Sequence, residues 1–204
     1  MAKIPSFSPK DFETCVAFHG HICPGLAIGF QAARALMERL GVGRAGDEEL
    51  LAIVETDACG ADAIQVMTGC TFGKGNFIFK NYGKHAFTLA DRKRGRAVRA
   101  CLRPGCLEAD QGHLSLFERV QNEEASPEEI ARFRELQRKR AQKVLEADIG
   151  FLFKIEEISP DIPPKSWVTE SGTCDLCGEL TEIDLLSEID GQRACLPCAL
   201  DKNK

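Results

Sequence analysis

The chain has 204 residues, of which 44% are hydrophobic and 28% charged, and its 26 basic and 31 acidic residues give a net charge of −5. These values are ordinary for a globular protein and exclude wholesale disorder, and the acidic balance argues against a protein that binds nucleic acid over its whole surface. The length predicts one large domain, or one domain with a small appendage. The unusual feature of the composition is its ten cysteines.

The meaning of the cysteines depends on the compartment. Residues 1–11 contain no apolar run typical of a signal peptide, and nowhere does the chain contain the roughly 18 consecutive apolar residues of a transmembrane helix. We therefore expect a cytoplasmic protein that does not associate with a membrane. Cytosolic thiols stay reduced, so these cysteines indicate metal binding or catalysis rather than disulfides.

Two helices are predicted at the start of the chain. Ser8-Pro9 is typical of a helix N-terminus, with serine as the cap and proline in the first turn, and this helix is expected to end at Gly20. Apolar residues at helical spacing predict a second helix over 26–40, which Gly41 ends.

Later elements mix both periods. In chain order they are a strand over 50–55, a helix over 61–68, a hairpin whose strands 77–79 and 86–88 flank the turn residues 81–84, a strand over 96–102, a helix over 126–148 and a strand over 151–155. This mixture with hairpin-like neighbours favours an α+β core over a doubly wound sheet. We predict a core domain over residues 1–158, a proline-rich linker over 159–168 and a small C-terminal domain over 169–204.

Four of the cysteines form a CxxC–x17–CxxC pattern at Cys174, Cys177, Cys195 and Cys198. Two intervening residues allow each turn to aim both sulfurs at one point, and Zn²⁺ accepts four thiolates in tetrahedral geometry. Two redox dithiols or two local disulfides are the alternative, but they do not explain how a tail with almost no apolar core folds, whereas metal coordination does. The pattern predicts a structural Zn²⁺ with no position left for a substrate.

The segment between the two cysteine pairs is expected to form a hairpin that turns at Asp190-Gly191. The whole tail resembles the small DksA/TraR-type and treble-clef zinc fingers. Such fingers bind protein, RNA or DNA, or brace a dimer. Because this tail has few basic or aromatic residues, we expect a protein partner for the finger and do not favour nucleic acid.

A second group of metal-binding residue types lies near the N-terminus. His21 and Cys23 lie two positions apart in a loop set by glycine and proline, and Cys59 follows the predicted strand over 50–55. Imidazole and thiolate suit zinc or another borderline-to-soft transition metal. We predict a metal site at His21 and Cys23, completed by Cys59 or Cys70. For His19, a hydrogen bond to the loop and metal ligation both remain open.

Other conspicuous residues have a structural interpretation. The basic run over 91–96, with Arg99 and Arg103, is interpreted as a solvated face, and an anionic partner is the alternative. Cys15 and Cys101 are expected to be buried. The same holds for three phenylalanines, which are expected in the core rather than in a stacking platform: Phe72, Phe77 and Phe79.

Three motifs together resemble a known family. FHGHICPGLAIG at 18–29, ETDAC with DAIQ at 55–65 and TGCTFGKGN at 68–76 are similar to the FmdE family, which is named after one component of formylmethanofuran dehydrogenase, and the resemblance covers about residues 8–155. It implies an α+β core, an intertwined homodimer and, in some members, a C-terminal zinc finger. It also implies a metal centre at His21, Cys23 and Cys59, with Cys70 as a further candidate.

The resemblance alone does not make the chain an enzyme. The family name comes from a molybdenum- or tungsten-dependent complex that fixes CO₂ as a formyl group, but this sequence has no evident pterin-binding domain and no ferredoxin-type cysteine run. Our first hypothesis is an accessory protein that handles or senses metal, with Zn²⁺ in both sites, in a molybdenum/tungsten or one-carbon redox system.

Two alternatives remain open at this point. One is a metal-dependent enzyme with an open catalytic site in the core, in which Asp57 or Asp62 serves as a base. The other is a transcriptional regulator that acts through the zinc finger.

Overall fold

The computed structural model describes residues 7–107, 111–159, 162–165 and 170–201. The chain divides into two compact units, Met1–Lys165 and Ser166–Lys204. Part of the predicted linker, residues 160, 161 and 166–168, lies outside the described residues. In the part of the chain that the structure describes, no helix combines the length and the apolarity needed to cross a membrane.

The first unit consists of helices packed against one mixed sheet. Its described helices are α1 (Pro9–His19), α2 (Pro24–Leu40), α3 (Gly60–Thr68), α4 (Gln111–Gln121), α5 (Pro127–Glu146) and α6 (Ile149–Leu152). Its described strands are β1 (Leu50–Val54), β2 (Phe77–Phe79), β3 (Ala86–Asp91), β4 (Arg96–Leu102) and β5 (Phe153–Ile158). The prediction of an α+β core is confirmed.

Local capping explains where the first helix begins and ends. The backbone N–H of Ser8 donates to the Asp11 carboxylate at 2.6 Å, which satisfies one amide at the start of α1. At the other end, Gly20 adopts φ of 95° and its N–H donates to the Val16 carbonyl. Because glycine tolerates this left-handed conformation, the chain turns sharply directly after His19.

The strands follow the order β2-β1-β3-β4-β5, in which only β1 and β2 are parallel. The predicted hairpin between 77–79 and 86–88 is therefore wrong, because β1 lies between these strands. Lys80 N donates to the Val54 carbonyl and Lys84 N to the Glu55 carbonyl, so residues 80–85 cross the end of β1. β1 is buried along its whole length and takes a partner on each edge.

Helix α2 lies at the centre of this unit, with most of its side chains buried. Its Gln31 is 1% exposed and donates both amide hydrogens to α5, at 3.1 Å to the Val144 carbonyl and 2.9 Å to the Leu145 carbonyl. On the side of α3 the contact is closer still. A Cβ on Gly29 would lie 2.2 Å from the carbonyl oxygen of Gly60, so only glycine permits this approach.

The structure differs from the sequence predictions in three further places. Helix α4 was not expected. Residues 151 and 152 belong to a helical turn, because the Asp148 carboxylate accepts from two backbone amides and caps it. Phe72 and Phe79 are 79% and 43% exposed rather than in the core, because they lie in a surface turn and in a three-residue edge strand, while Phe77 is half-buried against the core.

The second unit contains two small hairpins and a short helix. Its described elements are β6 (Ser171–Thr173), β7 (Leu180–Glu182), β8 (Ser187–Ile189), β9 (Gln192–Ala194) and α7 (Leu196–Asp201). β8 and β9 are antiparallel and turn at Asp190 and Gly191, both with positive φ, so the hairpin predicted there is confirmed. The buried side chains described in this unit are Cys174, Ala194 and Cys195. Two cysteines thus take the place of an apolar core.

Candidate metal centres

The first candidate metal centre lies where three segments of the core meet. His19 is the last residue of α1, His21 and Cys23 belong to the loop before α2, and Cys59 directly precedes α3. One ligand atom from each of these four residues lies within 4.8 Å of the other three. The structure thus brings together the three residues predicted from sequence and adds His19.

Both cysteines of this core cluster stand at helix N-termini. The Leu26 backbone N–H donates to Cys23 Sγ at 3.3 Å, and the positive end of a helix dipole favours a thiolate. A hydrogen bond from the Cys23 thiol lowers the pKa of Cys59 to about 5, against the opposing effect of burial, and His19 lowers it further. The same bond raises the pKa of Cys23. The pair is therefore disposed to offer thiolate, the form that binds metal.

His19 is oriented by a carboxylate. Its Nδ1 lies 2.7 Å from Asp62 Oδ2, which places the proton on Nδ1 and leaves Nε2 free. Nε2 lies 3.8 Å from Cys23 Sγ, inside the cluster. A histidine ligand whose second nitrogen donates to a carboxylate is the usual arrangement at metal sites in proteins. Asp62, considered from sequence as a base, here holds His19 in position.

The residues present fit a transition metal. At a Zn–S distance of about 2.3 Å, tetrahedral angles place ligand atoms roughly 3.6–3.8 Å apart, and the His19–Cys23 separation of 3.8 Å agrees with this value. Two nitrogens with two sulfurs suit zinc or a metal of similar softness. Burial is uneven, since Cys23 is 4% exposed whereas His21 is exposed to solvent. The centre is therefore accessible from the side of His21.

The other cysteines of the core unit do not belong to this cluster. Cys70 is fully buried at the far end of α3, a helix of nine residues and thus about 13 Å long, so it does not complete the site with His21 and Cys23. Cys15 is fully buried, as predicted, whereas Cys101 is only half-buried. Burial raises the pKa of Cys15 to about 12 and also raises that of Cys70.

The basic run over 91–96 and its neighbours are mostly engaged within the protein. Arg94 pairs with Asp91 and Arg96 with Glu157. Arg99 grips Glu55 with two hydrogen bonds of 2.6 and 2.9 Å, and this contact lowers the pKa of the Glu55 carboxyl. These pairs favour the interpretation of a structural face over that of an anion-binding patch.

The second candidate metal centre lies in the C-terminal unit and has only thiol donors. The sulfurs of Cys174, Cys177, Cys195 and Cys198 lie within 4.8 Å of one another, and those of Cys177 and Cys195 are 3.8 Å apart, as tetrahedral coordination requires. Backbone amides, first that of Cys195 at 3.3 Å, lower the pKa of Cys174 to about 6. Four sulfurs complete a tetrahedral set, so the cluster has the composition of a structural site.

The fold and these clusters define a protein with an α+β metal-binding core and a small zinc-finger-like unit. The family model described as "FmdE, Molybdenum formylmethanofuran dehydrogenase operon" matches residues 18–154. The chain belongs to this FmdE family.

Two individual proteins are similar to the chain. A "Probable S-adenosyl-L-methionine-binding protein" of Archaeoglobus fulgidus is 34% identical over 189 residues, which are 89% of this chain and 50% of that protein, so the chain spans about half the length of this relative. The crystal structure of a tungsten formylmethanofuran dehydrogenase FmdE-like protein from Syntrophus aciditrophicus has a similar fold. Its TM-score is 0.61 at 24% identity, over 99% of this chain and 97% of that one.

Sequence reasoning left two features of the core centre incomplete. The role of His19 was open because a helix C-terminus and a ligand give the same local sequence. Asp62 follows Cys59 by three residues, in the first turn of the same helix, and this spacing was the available indication that it lies beside the site.

Proposed function

We propose that this protein is an accessory protein that handles or senses a transition metal, with Zn²⁺ as the best-matched ion, in a molybdenum/tungsten or one-carbon redox system. The carrying observation is the composition of the core cluster. A carboxylate-oriented histidine and two cysteines hold three donors at partly or fully buried positions, and the fourth donor, His21, faces solvent. Such a set binds metal tightly and leaves one ligand that is open to exchange.

The biological setting rests on the family. The description of the matching family names molybdenum formylmethanofuran dehydrogenase, and the similar structure from Syntrophus is that of an FmdE-like protein of tungsten formylmethanofuran dehydrogenase. The proposal includes a structural Zn²⁺ in the C-terminal cluster, a homodimer and a protein partner for the finger in the cytoplasm. These parts follow from the resemblance to the family and from the four-cysteine pattern.

Metal content is the direct test of the two centres. Untagged wild-type protein is expected to contain about two metal ions per chain, and Cys23→Ser and Cys174→Ser are each expected to lose about one. Cys106→Ser is the matched control, because Cys106 lies in neither cluster and a serine hydroxyl can keep its hydrogen bond to the Arg103 carbonyl. One metal in the wild type, unaffected by Cys23→Ser, would contradict a core centre.

Exchange kinetics test metal handling. In the presence of a strong chelator, the core ion is expected to leave well before the finger ion, and His21→Ala is expected to accelerate its loss. Release of both ions at one rate would argue against a handling role.

A metal-dependent enzyme is the second candidate, and the exposure of His21 favours it. A bound metal would supply Lewis-acid chemistry, and an exposed ligand is the one that a substrate could replace. Cobalt substitution separates the two candidates. A four-coordinate spectrum that does not respond to added small molecules supports handling, whereas a ligand-dependent change in coordination supports an enzyme.

A further inference from the structure

A cavity of about 610 Å³ lies beside the core metal centre and is assigned to no function above. It is bounded by the end of α1, the loop after it, α4 and α5, and His21 forms part of its wall. A volume of this size is typical of sites for small molecules. The side chains that line it indicate which class of molecule it would accept.

Two unpaired cations line this cavity. Arg134 and Arg138 are four residues apart and thus on one face of α5. Among the described residues, neither has an ion-pair or hydrogen-bond partner, whereas Arg94, Arg96 and Arg99 all have one. Two like charges at this spacing repel each other, and an anion between them would relieve the repulsion.

A third polar group points to the same conclusion. Gln137 lies between the two arginines in sequence and also lines the cavity, and its side-chain oxygen is buried without a partner among the described residues. A buried amide oxygen normally accepts a hydrogen bond. An occupant with an N–H or O–H group would supply the missing donor.

The remaining wall is largely apolar. Ile22 from the loop, with Ile130 and Phe133 from α5, are half-buried side chains that line the cavity. Arginine side chains bind carboxylates and phosphates, and the apolar wall suits a hydrocarbon or ring. The combination selects an ion with an apolar body over a bare inorganic anion.

We propose that this cavity binds a small organic anion, whose carboxylate or phosphate contacts Arg134 and Arg138 and whose apolar body lies along Ile22 and Phe133 beside His21. The proposal depends on the proposed metal site only for the role of His21. Anion binding by the two arginines is measurable whether or not the core contains metal.

Binding is tested by calorimetry on the full chain at low salt, with phenyl phosphate and phenylacetate as probes and benzyl alcohol and inorganic phosphate as comparisons. At least one organic anion is expected to bind more tightly than both comparisons, and the double variant Arg134→Gln/Arg138→Gln is expected to weaken it by about tenfold or more. Glutamine keeps a good helix former at both positions, so α5 is preserved.

Arg132→Gln is the matched control, because Arg132 lies on the same helix but does not line the cavity. It is expected to change the affinity less than about twofold. Equal affinity in the double variant and the wild type overturns the proposal, and so does the absence of binding at about 10 mM of either organic anion.

Metal content measured on the same samples separates this proposal from the proposed function. Two metals per chain without anion binding would contradict only the cavity proposal. Anion binding that depends on the arginines in a chain without core metal would contradict only the metal centre.

Discussion

Asp62 shows how one carboxylate determines the state of a candidate ligand. It contacts Nδ1 of His19 at 2.7 Å and thereby directs Nε2 towards Cys23. Because the carboxylate also makes the imidazole a stronger donor, we expect Asp62→Asn to lower the metal affinity of the core centre about 10–100-fold. Competition with a chromophoric chelator measures this affinity. The ion in the C-terminal unit should remain unaffected.

Asp57→Asn is the control for this change, because Asp57 is also close to Cys59 in sequence but has no side-chain hydrogen bond or ion pair among the described residues. Its metal affinity is expected to match that of the wild type. Equal affinities for Asp62→Asn and Asp57→Asn would mean that the contact with His19 does not tune the site.

The Glu55–Arg99 pair predicts a pH dependence of stability. Arg99 lowers the pKa of Glu55 in the folded chain below the unfolded value of about 4.3. The pair therefore contributes its full stabilisation above the unfolded pKa and loses it as the pH falls through the lower, folded pKa. We expect Glu55→Gln to cost about 3 kcal/mol at pH 7, because it leaves a largely buried guanidinium without its charge partner.

Denaturant unfolding at a series of pH values measures this effect. The difference in unfolding free energy between the wild type and Glu55→Gln should shrink as the pH falls below about 4. A difference that stays constant over that range would contradict the assignment of the stabilisation to the ionised pair.

At the scale of elements, the contact between α2 and α3 brings Cys23 and Cys59 together. An added Cβ on Gly29 would lie 2.2 Å from the Gly60 carbonyl oxygen, so Gly29→Ala must separate the two helices. Alanine favours helix by about 1 kcal/mol, but the clash outweighs this gain, and we expect a net loss of about 1–3 kcal/mol in stability. The affinity of the core for metal should fall as well.

Thermal unfolding and chelator competition on the same variant test both effects. Gly73→Ala is the control, since a Cβ at Gly73 would meet nothing within 4 Å and its φ is not positive. A Gly29→Ala protein as stable as the wild type would show that the two helices adjust without cost.

The elements also show which parts of the fold the sequence could predict. The ends of α1 and α2 follow from Ser8, Gly20 and Gly41, because capping depends on residues a few positions apart. The position of β2 depends on its pairing with β1 about 25 residues away, and no local pattern distinguishes that pairing from a hairpin.

The candidate sites divide in the same way. The four cysteines of the C-terminal cluster were recognisable because spacing alone determines a CxxC pair. In the core, the choice of Cys59 over Cys70 depended on the packing of α3 against α2. The inclusion of His19 depended on Asp62, and Arg134 and Arg138 had no visible relation to His21 before α5 was placed.

At the scale of the whole molecule, the two units have different sources of stability. The core unit contains a large buried apolar cluster, whereas the buried side chains described in the second unit are mainly cysteines. We therefore expect removal of metal to unfold the second unit and to leave the core unit folded. Hydrogen exchange of the full chain should show that residues 171–201 lose protection in Cys174→Ser, while the sheet strands keep theirs.

Cys106→Ser again serves as the control, with protection in both units expected to equal that of the wild type. Retained protection of residues 171–201 in a Cys174→Ser chain shown to lack the second ion would mean that this unit folds without metal.

The buried amide of Gln31 has a mechanical consequence. Both of its hydrogens are bonded to the end of α5, and its oxygen accepts from Arg34 at 2.8 Å, so no polar atom of this side chain is left to form an alternative contact. Sliding α5 along α2 would break these bonds in a water-free interior. The helix that carries Arg134 and Arg138 is thus fastened to the helix that begins at Cys23. A molecule entering between them would meet a preformed surface, and little of its binding energy would be spent on ordering the protein.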